Sequence, residues 1–248
     1  MRIAALYDIH GNQPALDAVL RDVRSERVDQ VVIGGDVLPG PMPRECLDLL
    51  YRLEIPVHYL RGNGDREVLA TRAGTPNTAL PAPAQEAIRW NAGQLTSNDA
   101  QRLTHWPADV RLTHPHWGAV LFVHATPRND TEMFTRRMPE ERLRPVFASA
   151  NASIVICGHT HMQFDRMVGD IRVVNAGSVG MPFQSAGAYW LLLSERVELR
   201  RTLYELTAAA ALIRRTLYPQ AREFAERNVL HPPSEAEMLE VFGRVELK

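Results

Sequence analysis

Cysteine is nearly missing from this chain: only Cys46 and Cys157 occur, far apart and each in apolar surroundings. Two such residues exclude a disulfide framework and read as buried free thiols. Long hydrophobic runs are missing too, with no window near the roughly 20 apolar residues of a membrane-crossing helix. The stretch Met1 to Asp8 meets an aspartate too early to hold a signal peptide's apolar core, so a cytoplasmic protein without membrane association is expected. Charge of one sign is not in excess, with Lys+Arg 28 against Asp+Glu 29 and a net charge of −1. Without a basic block or stripe, dedicated nucleic-acid binding is not expected. Internal repeats, low-complexity segments and flexible linkers are also lacking, and a hydrophobic share of 45% excludes general disorder.

What is present is a rhythm of apolar runs and amphipathic segments. Ile3 to Tyr7 reads as a strand, Asp8-Ile9-His10-Gly11-Asn12 as its loop, and the segment opening at Pro14 carries Leu16, Val19, Leu20 and Val23 at helical spacing. The pattern returns with Gln30 to Ile33, Gly34-Gly35-Asp36 and a helix from Pro43 to Leu53. It returns again with Pro56 to Leu60, Arg61-Gly62-Asn63-Gly64-Asp65 and a short helix from about Arg66. Alternation of this kind predicts a largely parallel sheet wrapped by helices, with ligands at the carboxyl ends of the strands.

Residues 74–107 break the rhythm and read as a helical insertion beside the sheet. Strands at 110–114 and 119–123, a helix at 139–150 and a buried strand at 152–157 follow. Gly169-Asp170 joins strands 164–168 and 171–174 in a hairpin. Together with strands 189–193 and 197–203 it predicts a second, mainly antiparallel sheet. A helical extension runs from about 205 to 248, broken at Pro219 and Pro232-Pro233. The expectation is one α/β domain over residues 1–248 with these two helical additions.

Five of the predicted strands end in a metal-ligating group. Asp8 and His10 follow the first, Asp36 the second, Asn63 the third, His124 the strand at 119–123, and His159 with His161 the strand at 152–157. In an extended segment residues two apart share a side, so His159 and His161 are expected to aim at one object. Carboxylate, imidazole and amide oxygen suit metals of borderline hardness. This many groups at one rim exceeds a single ion's needs and suits two ions about 3.5–4 Å apart. Singly, each has a bland alternative, because Asp-x-His arises by chance and Gly-Asp or Gly-Asn is a routine turn. Joint occurrence at five successive strand ends is much harder to obtain by accident.

Taken in order, Asp8-Ile9-His10, Gly35-Asp36, Gly62-Asn63, Val123-His124 and Gly158-His159-Thr160-His161 resemble the motif set of the calcineurin-like metallophosphoesterases. The resemblance covers roughly residues 1–180, and the turn Asn175 to Gly180 resembles that of the small bacterial members. It implies an α/β fold, a β-sandwich of two mixed sheets flanked by helices. It further implies that Asp8, His10 and His161 hold one divalent metal, that Asn63, His124 and His159 hold a second, and that Asp36 bridges them. Manganese is the first choice, and iron, zinc and nickel suit the same ligands. Two such ions would lower the pKa of a shared water, and the hydroxide would attack phosphorus in line with the leaving oxygen. Catalytic roles are expected for Asn63, His124 and Asp65, the last orienting the metal-one side. Arg66 and Arg128 are candidate phosphate clamps, with surface salt bridges as their alternative.

One position departs from the family pattern. Where many members carry histidine after the asparagine, this chain has Gly64, which cannot donate a proton to a leaving group. A phosphodiesterase for small or nucleotide-like phosphodiesters is therefore expected. The alternatives are a phosphomonoesterase, a phosphoprotein phosphatase or a dinucleoside polyphosphate hydrolase. A nuclease ranks lower for want of a basic stripe. A binding scaffold with a decayed site, as in the membrane-coat subunit of similar fold, predicts lost ligands, and here all are intact. Trp90 and Trp106 either stack on a base or pack internally. The extension serves either a homo-oligomer or packing onto its own domain.

Overall fold

The computed structural model describes residues 1–244 and 247. The chain begins β1 (Ile3–Leu6), α1 (Gln13–Ser25), β2 (Gln30–Gly34), α2 (Pro43–Tyr51), β3 (Val57–Leu60) and α3 (Asn63–Arg72). It continues through α4 (Ala82–Gln94), α5 (Ser97–Thr104), β4 (Asp109–His114), β5 (Gly118–Val123) and α6 (Glu140–Phe147). Next come β6 (Ile154–Cys157), β7 (Phe164–Val168), β8 (Ile171–Asn175), β9 (Ala188–Leu193) and β10 (Val197–Thr202). Then follow α7 (Leu206–Ile213), α8 (Ala221–Phe224), a π-helical turn over Ala225–Leu230 and α9 (Glu235–Phe242). None of the described helices is long and apolar enough to cross a membrane.

Local chemistry explains where the first helices start. The Asn12 side chain accepts from Ala15 N at 3.3 Å and Pro14 fills the first turn, so α1 starts where the sequence placed it. Helix α3 starts earlier than expected, at Asn63 rather than near Arg66. The Asp65 carboxylate accepts from Gly62 N at 3.1 Å and caps the turn that glycine alone could not cap.

The strands form two mixed sheets, in the orders β10-β9-β1-β2-β3 and β4-β5-β6-β8-β7. Strands β1, β2 and β3 are parallel as expected, and β9 is antiparallel to β1. Strands β9 and β10 therefore extend the first sheet instead of completing a second antiparallel one. The reason is burial: β9 is buried at all six positions, and a strand covered on both faces belongs beside the central β1.

Alternation along the strands builds a four-layer sandwich. Ala4 and Leu6 of β1, with Val31 and Ile33 of β2, face α1 and α2, where Leu16, Val19, Leu20 and Leu47 meet them. Ile3, Ala5, Tyr7 and Val32 face the other way and meet Phe122, Ile154, Ile156 and Val174 of the second sheet. On that sheet's outer face, Leu121, Val155 and Cys157 pack under Leu143, Val146 and Phe147 of α6. Cys46 and Cys157 are both buried free thiols.

The helices of residues 82–104 join the first outer layer through Ile88, Ala92, Leu95 and Leu103. Trp106 stacks on Tyr59 with ring centroids 4.8 Å apart, and Trp90 meets Tyr218 edge-on at 5.4 Å. Both tryptophans thus have packing partners within the chain. The C-terminal helices bury Ala210, Ile213, Phe224 and Val229 against Met42 and Ala87, so their apolar face is covered by this same chain.

Candidate metal centre

The carboxyl ends of β1, β2, β5 and β6 and the first turn of α3 converge on one rim. Asp8, His10, Asp36, His124 and His161 are buried there, while Asn63 and His159 are half-buried at its open side. Asp8, His10, Asp36, His159 and His161 all adopt positive φ, between +45° and +66°, a conformation that non-glycine residues avoid. Only Arg27 and Asn151 share it among the other described non-glycine residues. Each such residue costs about 1 kcal/mol or more, and clustering of that strain is characteristic of functional sites.

The left-handed backbone also changes how the two histidines after β6 are aimed. His161 Nε2 lies 3.4 Å from Asp8 Oδ1 and 3.3 Å from His10 Nε2. His159 turns the other way, its ring centroid 5.1 Å from that of His124. They do not share one object as an extended segment would require, but serve opposite ends of the same centre. At the second end, Asn63 Oδ1 lies 3.1 Å from His124 Nε2. Asp36 Oδ2 sits between the ends, 3.8 Å from His10 Nε2 and 3.6 Å from His124 Nε2.

Backbone carbonyls set the ring tautomers. His10 Nδ1 is 3.1 Å from Pro39 O, His124 Nδ1 is 3.0 Å from Gly34 O and His161 Nδ1 is 2.7 Å from Met181 O. Each Nδ1–H therefore donates outward, leaving the Nε2 lone pair pointing into the centre. His159 is reversed: its Nε2 faces Thr131 O at 3.2 Å, and Nδ1 is the inward atom, 3.0 Å from the Asn63 amide group.

Lone pairs facing lone pairs at such distances are repulsive unless a cation or proton lies between them. Asp8 Oδ1 is buried without any hydrogen-bond partner, and the Nε2 atoms of His161, His124 and His10 surround it at 3.4, 3.9 and 4.0 Å. Burial pushes the Asp8 carboxyl up, but the neighbouring imidazoles, His161 foremost, hold it well below the usual carboxylate range. Burial and then His124 push the His159 imidazole down to about 4. A divalent cation satisfies all of these groups at once. Two overlapping ligand sets are formed, Asp8-His10-His161 and Asp8-Asp36-His124, so Asp8 belongs to both. The donor set fits divalent metal ions.

Residues outside the ligand set hold this geometry. Asn175 donates to Gly158 O at 2.6 Å and to Thr160 Oγ1 at 3.1 Å, fixing both neighbours of His159. Ser178 Oγ donates to Asp8 O at 2.7 Å. Gly158 N bonds to His124 O at 2.9 Å, and a Cβ on Gly158 would fall 2.4 Å from Asp8 Oδ2. The sequence signalled the turn at 175–180 but not these tasks.

The remaining candidates are placed as follows. Asp65 accepts from Leu38 N at 3.0 Å and from Gly62 N, so it ties the segments carrying Asp36 and Asn63 rather than the metal-one ligands. Burial, and next the Asp36 charge, push its carboxyl up to about 7, against the pull of those two N–H groups. Arg66 forms a two-pronged pair with Asp130, at 2.7 and 3.0 Å, and also meets Glu67 at 2.8 Å. Arg128 is paired with Glu132. Both arginines thus already engage carboxylates.

Gly64 is not merely a missing histidine. A Cβ there would lie 2.3 Å from Leu38 O and 3.0 Å from Asp36 Oδ1, so the chain after Asp36 closes over the position. Gly64→Ala is expected to lower stability by about 1–3 kcal/mol through overpacking. Thermal unfolding checks this, and a midpoint equal to the unsubstituted protein's would contradict it.

A family model described as calcineurin-like phosphoesterase superfamily domain matches residues 1–196. The chain is 25% identical over 238 residues to the uncharacterized protein MJ0912 of Methanocaldococcus jannaschii, covering 88% of this chain and 94% of that protein. Among solved structures it is similar to a metallophosphoesterase from Sphaerobacter thermophilus. That similarity has a TM-score of 0.70 at 25% identity over 91% of this chain and 97% of the other. The hypothetical protein PH1004 from Pyrococcus horikoshii shares the fold, with a TM-score of 0.79 at 18% identity over 94% and 99% of the two chains.

Proposed function

Because the chain belongs to the calcineurin-like phosphoesterase superfamily, whose members hydrolyse phosphoesters with bound metal, we propose that it is a phosphodiesterase for small phosphodiesters. Its centre would hold two divalent cations, one between Asp8, His10 and His161, the other between Asn63, His124 and His159, with Asp36 reaching both. When bound, such ions supply positive charge for the phosphoryl oxygens and make water acidic enough to yield hydroxide near neutral pH.

The observation that carries this reading is Asp8 Oδ1, buried, unpartnered and ringed by imidazole lone pairs. A protein does not retain such an arrangement for stability alone. The chain's own residues do the positioning: carbonyls of residues 34, 39 and 181 fix three rings, and Gly64 N donates to Asp36 Oδ1 at 2.7 Å. Asn63 and His159 form the more exposed edge of the ligand set.

The diester preference rests on position 64. A histidine after the asparagine would offer a leaving oxygen a proton, whereas the residue after Asn63 offers only a backbone N–H already spent on Asp36. A 4-nitrophenyl phosphodiester is expected to be cleaved faster than 4-nitrophenyl phosphate by metal-stripped protein with manganese restored. A faster monoester would overturn the diester preference and leave the phosphoesterase reading. Absence of hydrolysis with manganese, iron, zinc and nickel would overturn both.

A further inference from the structure

A cavity of about 490 Å³ opens beside His10, within the range of pockets that take small organic ligands. Its near wall is the metal centre's own support. Met181 lends its carbonyl to His161, and Phe183 stacks on the His161 ring with centroids 4.8 Å apart and planes 23° apart. The opposite wall comes from the C-terminal helices. Tyr218 and Phe224 are both buried and meet edge-on at 6.2 Å. Polar groups reach the cavity at Gln220, Glu223, Arg227 and Asn228, the last two on the π-helical turn, and the Arg227 guanidinium lies 3.8 Å from the Glu223 carboxylate. Such turns are rare and occur frequently at functional sites.

We propose that this cavity seats a nucleoside arm of the phosphodiester, held on the His10 and His161 side of the centre. The inference rests on the phosphodiesterase reading and names its substrate class. Aromatic and thioether walls favour a flat π-system over a sugar or a peptide. An amide and a guanidinium at one edge supply hydrogen bonds to the polar rim of a base, which a plain aryl group could not use. The adjoining ligand His10 places the ester phosphorus of such an arm at the metal centre. Selectivity thus depends in part on the chain beyond residue 196, where the family match ends and the far wall of the cavity begins.

Three chromogenic diesters with the same leaving group test this: the 4-nitrophenyl phosphate esters of thymidine (5′), methanol and octanol. The thymidine ester is expected to exceed the methyl ester in kcat/KM by about 5- to 100-fold, the range set by one or two base–aromatic stacks. Ala84→Trp, which fills the cavity from a half-exposed face of α4, and Asn228→Ala are each expected to collapse that ratio. Calorimetry with thymidine alone on the manganese-loaded protein gives a readout free of catalysis, with binding lost in Ala84→Trp. If neither ester is cleaved but thymidine binds and Ala84→Trp blocks it, the pocket stands and the phosphodiesterase reading falls. Equal cleavage of thymidine and methyl esters with no thymidine binding overturns the pocket and spares the hydrolase. A preference for the octyl ester also overturns it, in favour of an alkyl arm.

Discussion

Asp8→Asn is expected to remove metal-dependent hydrolysis and to lower the stability of the metal-free protein near neutral pH by about 1–3 kcal/mol. The catalytic loss should be on the order of a thousandfold or more, because the ions supply several kcal/mol of transition-state stabilisation and Asp8 belongs to both ligand sets. The stability result follows from the same atoms. Asp8 Oδ2 accepts from His159 N at 2.8 Å, a bond that an amide oxygen can keep. Asp8 Oδ1 faces His161 Nε2 at 3.4 Å, and an uncharged amide there would forgo the attraction by which the imidazoles hold the Asp8 carboxyl low. That stabilisation is present at neutral pH and is lost as the pH falls through the lowered pKa of the folded protein. Thermal unfolding with and without manganese reads both effects: the substituted protein should start lower and gain less from the ion than the unsubstituted one. A variant that still rises with manganese and still cleaves diesters would show that Asp8 is not a ligand.

The chemistry of this centre was legible in the sequence because each candidate ligand follows an apolar run, and parallel strands deliver their carboxyl ends to one rim. The conformation of those ligands was not. Asp8, His10, Asp36, His159 and His161 take left-handed backbones, and although aspartate and histidine enter that region more readily than most residues, they do so too seldom for the sequence to announce it. The extended geometry assumed for His159 and His161 therefore aimed both at one place, when the structure sends them to opposite ends. Strand pairing was hidden for another reason. Periodicity identifies β9 and β10 but says nothing of their partner, and the pairing of β9 with β1 spans most of the chain. Of the two arginines, Arg128 could have been matched in advance to Glu132 four residues on. The Arg66 partner Asp130 lies 64 residues away and needed the fold. The early start of α3 had a local signal, an acid three residues after Gly62, which is half of a capping box.

That half capping box leads to a second large effect, in Asp65→Ala. Asp65 is fully buried, and its two oxygens accept from Leu38 N at 3.0 Å and Gly62 N at 3.1 Å. Alanine would leave both N–H groups without their acceptor, at a cost of about 2–5 kcal/mol in total. For a chain of this size that corresponds to a midpoint lower by roughly 5–20 °C. Asp65→Asn should fall between, since the amide oxygen can serve one N–H while its nitrogen opposes the other. The consequence reaches the metal centre because the two bonds clamp different segments. Leu38 lies two residues after Asp36, and Gly62 immediately precedes Asn63. Loosening both frees the carboxylate that lies between the two ends and the amide at the open edge, so metal affinity should drop by about 10–100-fold, as for other groups that orient ligands without touching the ion. Titrating manganese against the intact and substituted proteins at a temperature where both are folded separates this from instability. If Asp65→Ala melts early but binds manganese as tightly as the intact protein, Asp65 is a fold residue alone, and the clamp between Asp36 and Asn63 plays no part in metal binding.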